Sequence, residues 1–86
     1  MNSSKVFVDF HNADEQGRLR LNCVGTIEDL AGQQTELENG QQLTLYSEDL
    51  EVDGVVQFSE KEKIWTATID WNQIRSVEQL VVQGQN

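Results

Sequence analysis

Asp49-Leu50-Glu51-Val52-Asp53-Gly54, followed after five residues by Glu60, carries the donor spacing of a calcium loop. Such a loop places oxygen ligands at positions one, three and five, glycine at six and a carboxylate at twelve, because a hard cation wants carboxylates gathered around a tight turn. Here position three is Glu, whose extra methylene fits the loop poorly, and Leu50 and Val52 continue an alternating strand pattern. No helical pattern flanks the segment, whereas the calcium loop belongs to a helix–loop–helix unit. The favoured reading is therefore a strand whose solvent face carries Glu51 and Asp53, charges that discourage edge aggregation. A metal site using Asp49, Asp53 and Glu60 stands as the alternative, and no cofactor is expected.

Cys23 and His11 are the chain's single cysteine and single histidine. A thiol nucleophile needs an adjacent base and a third group to orient it, and neither residue has a motif around it. Cys23 alternates in phase with Leu19 and Leu21, which predicts a small core residue. One Cys and one His are too few for a structural zinc site. Carboxylates are abundant, but nothing singles out two facing each other across a deep cleft, and a glycine-rich phosphate loop is missing. The expectation is a protein that is not an enzyme.

The charge is segregated. Of six Lys and Arg and fifteen Asp and Glu, residues 26–54 hold Glu28, Asp29, Glu36, Glu38, Glu48, Asp49, Glu51 and Asp53 and no base. That block supplies nearly all of the net charge of −9. Such a field repels nucleic-acid phosphates and anionic membranes and favours basic partners or cations. Arg18, Arg20, Lys61, Lys63 and Arg75 would have to gather on one surface to reverse it.

Eighty-six residues make one domain, spanning 1–86 with residues 1–4 and 84–86 expected to fray. A lone cysteine leaves no disulfide, which suits a reducing compartment. The first apolar run, Val6 to Phe10, is broken by Asp9 and is too short for a signal-peptide core or a membrane span. A cytoplasmic protein without membrane insertion is expected.

The dominant period is two, which predicts strands. Trp65, Ala67, Ile69 and Trp71 share one face. Val6, Val8 and Phe10 form another apolar row, as do Leu19, Leu21 and Cys23, then Leu43 and Leu45, then Leu50 and Val52. Phe7 and Tyr46 fall off their strands' apolar faces and are the candidates for exposed aromatics. Asp14-Glu15-Gln16-Gly17 predicts a hairpin turn, Asn39-Gly40 a tight turn, and Gly54 a bulge or bend. Thr26 is a candidate N-cap for a helix carrying Ile27, Leu30 and Ala31 inward and ending at Gly32. Asp70 to Arg75 reads as a single tight turn with Trp71 and Ile74 inward, and Leu80-Val81-Val82 as a closing strand.

Five or six short strands, with one helical turn before the last, predict an all-β or β-dominated domain with one short helix. From residue 43 to 82 the order of long strand, helical turn and final strand resembles SH3-like barrels in architecture. An OB-like barrel or a small sheet with one packed helix is the alternative. The expected function is a protein-interaction module that shows an acidic surface to a basic protein partner as a small subunit or adaptor. Tyr46, Glu48, Asp49, Glu51 and Asp53 are its candidate binding residues. The alternatives are a calcium- or other metal-binding domain and an acidic inhibitor mimicking nucleic acid, and exposed strand edges leave room for a homo-oligomer.

Overall fold

The structure is a computed structural model that describes residues 5–76. At its centre is a hairpin of β3 (Gln42–Ser47) and β4 (Leu50–Ser59), joined by the two-residue turn Glu48-Asp49. Alternation along β4 buries Val52, Gly54 and Val56 and leaves Asp53, Val55 and Gln57 exposed. Strand β5 (Ile64–Ile69) pairs antiparallel with β4 from Ser59↔Ile64 to Gly54↔Ile69. The short β2 (Leu19–Arg20) lies antiparallel against β5, and β1 (Lys5–Phe7) runs parallel to β3 at the other end. The strand order is β1-β3-β4-β5-β2. After β5 the chain leaves the sheet for a 3-10 turn, Trp71–Gln73, and returns as β6 (Arg75–Ser76) beside Glu51 and Leu50 of β4.

One face of this sheet carries the core. Val6, Val8, Leu19, Leu43, Leu45, Val52, Val56 and Ala67 are fully buried there, each contributing about 1.5–3 kcal/mol for the larger side chains. Phe10, Leu30, Trp65, Ile69 and Ile74 pack around them. The strand-dominated class with one short helix is as the sequence predicts. The sheet, however, does not close on itself. A single bridge, Ala13↔Leu19, and the bond from Arg20 N–H to the Asn12 carbonyl carry the chain after β1 over to β2. Of the architectures expected, a small sheet with one packed helix describes it.

Helix α1 (Val24–Gln33) starts earlier and ends later than its local signals suggest. Cys23 is its N-cap, half-buried rather than in the core, and Gln34 ends it in the left-handed region with φ 55°. Thr26, the expected cap, is instead buried inside the first turn. Its hydroxyl donates to the Phe7 carbonyl at 2.6 Å. Asp29 Oδ2 accepts the Phe7 N–H at 2.9 Å, and Gln33 Nε2 donates to the Lys5 carbonyl at 2.7 Å. Positions 26, 29 and 33 form one helical stripe, and that stripe takes the place of a neighbouring strand along β1. A backbone edge that would otherwise invite pairing with another chain is thereby closed. The same docking turns Ile27 outward, 55% exposed, where the sequence places it inward; Ala31 is exposed as well.

Gly54 forms no bulge. Its pairing is regular on both sides, with Leu43 and with Ile69. A Cβ there would lie 2.9 Å from Leu45 Cδ1 and 3.0 Å from Ile69 Cγ2, so the three strands meet too closely for any side chain.

The 3-10 turn follows expectation in place but not in orientation. The Asn72 N–H donates to Asp70 Oδ1 at 3.0 Å, capping it, and Ile74 is half-buried. Trp71 is 43% exposed; its indole N–H donates to the Gly17 carbonyl and its ring meets Phe10 edge-on. The turn at 14–17 forms, with Gly17 N–H donating to the Asp14 carbonyl. The expected strand at 80–82 lies outside the described residues. Among the described residues no helix is long and apolar enough to cross a membrane.

A candidate docking face

The side chains that point away from the core come from alternate positions of β1, β3, β4 and β5. Lys5, Phe7, Thr44, Tyr46, Glu51 and Asp53 stand on this outer face by register. Tyr46 is anchored rather than open: its hydroxyl donates to Asp29 Oδ2 at 2.7 Å, and its ring meets Phe7 edge-on at 5.7 Å. The bond to Asp29, with burial adding to it, raises the Tyr46 pKa. Phe7 is half-buried, with Gly25 of α1 close above its ring. The two residues that sequence patterning marks as free aromatics thus form the seam between helix and sheet.

The four acids of the candidate site divide into two kinds. Glu51, only 12% exposed, accepts from Lys5 Nζ at 2.9 Å and from Arg75 Nε at 3.2 Å. The Lys5 ammonium chiefly, then Arg75, lowers its pKa against the opposing effect of burial. Asp53 is 75% exposed, accepts from the Thr44 hydroxyl at 3.2 Å and meets Arg75 at 3.4 Å. Glu48 and Asp49 form the β3–β4 turn and have no ion-pair partner among the described residues. Asp49 and Glu60 flank β4 at opposite ends, so the segment with calcium-loop spacing is a ten-residue strand rather than a loop. At about 3.3 Å per residue that separates them by roughly 35 Å. No group of three or more His, Cys, Asp or Glu among the described residues is placed to hold a metal ion.

Beyond these residues, sequence reasoning misses where the bases go. Every Lys and Arg of the chain sits in an ion pair: Lys5 with Glu51, Arg18 with Asp14, Arg20 with Glu62, Lys61 with Glu15, Lys63 with Glu60, and Arg75 with Glu51 and Asp53. Arg20 is the most fully engaged. Its guanidinium grips Glu62 through two bonds, at 2.7 and 2.9 Å, and donates to Asn12 and the Ala13 carbonyl. Asp9, Glu28, Asp29, Glu36, Glu38, Glu48, Asp49 and Asp70 have no cationic partner among the described residues.

A cleft of about 410 Å³ opens on this face, lined by Gln42, Leu43, Asp53, Gly54, Val55, Thr68, Ile69 and Asp70. Its cause is the chain's excursion after β5. Pairing along that side of β4 stops at Gly54↔Ile69 and resumes at Glu51↔Arg75. Val55, paired with Gln42 and Thr68 on the solvent face, is 42% accessible between these polar neighbours. Against protein-family models, curated proteins and solved structures, the chain finds no match.

Proposed function

We propose that this chain is a non-enzymatic interaction module that presents an acidic face to a basic protein partner, as a small subunit or adaptor. The observation that carries this reading is the complete commitment of the cations to internal pairs. Net charge alone serves solubility, but here each base lies within 4 Å of an acid, so the bases form no positive patch of their own. Eight acids among the described residues have no cationic partner. Such a field speeds encounter with a basic partner and suppresses acidic ones.

Glu48, Asp49 and Asp53 supply the outward charge. Glu51 holds Lys5 and Arg75 in place beside them, and Tyr46 fixes the helix to the sheet behind them. Val55 offers the apolar contact that slows dissociation.

The test is binding of the immobilised chain to Lys- and Arg-rich peptides and to acidic control peptides, at low and high salt. A variant carrying E48Q, D49N and D53N serves as the comparison. Basic peptides held by the native chain, released by salt and weakened in the variant, are the expected result. Equal retention by both chains, or none, overturns the reading.

A further inference from the structure

We infer that the cleft beside Gly54 is a pocket for one arginine side chain of the basic partner, an inference that rests on the docking function proposed above. Three features point there together. The first is size: about 410 Å³ exceeds one side chain and admits the flanking peptide backbone as well. The second is the chemistry of the walls. Two cross-strand rows form the floor, Gln42–Val55–Thr68 and Leu43–Gly54–Ile69. The first row faces outward and the second supplies backbone, and Val55, 42% accessible, gives an aliphatic stem an apolar surface to lie against. Asp53 and Asp70 border the same cleft and carry the charge.

The third feature is a guanidinium held outside the cleft by one of its bordering carboxylates. Arg75 already reaches Asp53 from the rim at 3.4 Å while keeping its closer bond to Glu51 at 3.2 Å. The carboxylate therefore accepts this group in its present orientation. Because Asp53 is 75% exposed, its pair with Arg75 is weak, and Arg75 retains Glu51 when an incoming guanidinium takes Asp53. Asp70 uses Oδ1 for the Asn72 N–H, leaving Oδ2 to accept. A planar fork of five donors shares itself between two carboxylates and the Gln42 amide oxygen, where the compact ammonium of lysine reaches fewer acceptors.

The experiment titrates isotope-labelled full chain with the blocked tripeptide acetyl-Gly-Arg-Gly-amide and its Lys counterpart, following backbone amide shifts. Three variants are compared: D53N/D70N, which preserves the capping bond because Asn also caps; V55F, which fills the cleft at unchanged charge; and E48Q/D49N, which changes charge outside it. Amide spectra of each variant confirm folding first. Saturable shifts at Gln42, Gly54, Val55, Thr68 and Asp70 are expected, with the Arg peptide binding at least threefold tighter than the Lys peptide. D53N/D70N and V55F should each weaken it tenfold or more, and E48Q/D49N less than twofold. Shifts centred on Glu48 and Asp49, or unaffected by V55F, overturn the pocket while the acidic-docking reading stands. Absence of binding by both tripeptides and by the longer basic peptides overturns both.

Discussion

The Tyr46 hydroxyl and the Phe7 N–H converge on one oxygen of Asp29, at 2.7 and 2.9 Å. A helix carboxylate thereby joins the edge strand to its neighbour. Removing it leaves two half-buried donors unpaired, and such groups cost about 1–3 kcal/mol. Asp29→Ala should lower unfolding free energy by about 2 kcal/mol and Tyr46→Phe by about 1 kcal/mol. Their combined effect should fall short of the sum, because both remove one bond. Urea unfolding of the double-mutant cycle measures this. Tyr46 titrates above its ordinary value in the folded state, so its contribution is complete below pH of about 10 and fades as pH rises through the raised folded value. The tyrosinate absorbance titration should move back toward about 10 in Asp29→Asn.

Glu51 contributes to the acid limb of stability. Unfolded glutamate takes up its proton near pH ~4.3, whereas the folded group, held by Lys5 and then Arg75, takes it up only at lower pH. Within that window the unfolded chain binds more protons, so stability rises with pH. The contribution is present above the unfolded value and disappears as pH falls through the folded one. Glu62, gripped by Arg20, acts with the same sign. Denaturant midpoints measured from neutral pH down to about 3 should fall, and Glu51→Gln should flatten the fall. An unchanged slope in that variant would remove Glu51 from the account.

Legibility in the sequence follows the range of the interactions. The inward rows Val6–Val8 and Leu43–Leu45, and Val52 of the next row, are readable because burial on one face imposes a period of two. The boundaries of α1 are not, since its polar stripe is fixed by β1 and not by its own caps: Thr26 bonds to Phe7 and Gln33 to Lys5. The acid block is plain in the composition, yet the pairing of each base is not, because Arg20 finds Glu62 and Lys5 finds Glu51 across the folded sheet. Asp70 and Gln42 are unremarkable in sequence. They share a cleft only because the chain leaves the sheet at Ile69 and rejoins it at Arg75.

Two glycines of one helix should respond to alanine with opposite signs. Gly32 faces open space, so Gly32→Ala gains helix propensity of up to about 1 kcal/mol. At Gly25 an added Cβ would lie 2.6 Å from Phe7 Cδ2, inside the seam that carries the Asp29 and Thr26 bonds. Crowding of this kind costs about 1–3 kcal/mol, which outweighs the propensity gain. Thermal unfolding should place Gly32→Ala above the native chain and Gly25→Ala below it.

Glu48 offers a way to separate charge from backbone strain at the proposed docking face. It occupies the first position of the β3–β4 turn at φ 50°, a region that disfavours side chains other than Asn, Asp and Gly. Glu48→Asn relieves that strain and removes one negative charge, and should raise unfolding free energy by about 0.5–1 kcal/mol. Glu48→Gln removes the same charge and keeps the strain, so its stability should stay within about 0.5 kcal/mol of the native chain. If docking is electrostatic, both variants should lose the same small share of affinity for a basic peptide despite their different stabilities. Affinity that tracks stability instead would show that the geometry of the turn, and not its charge, governs binding.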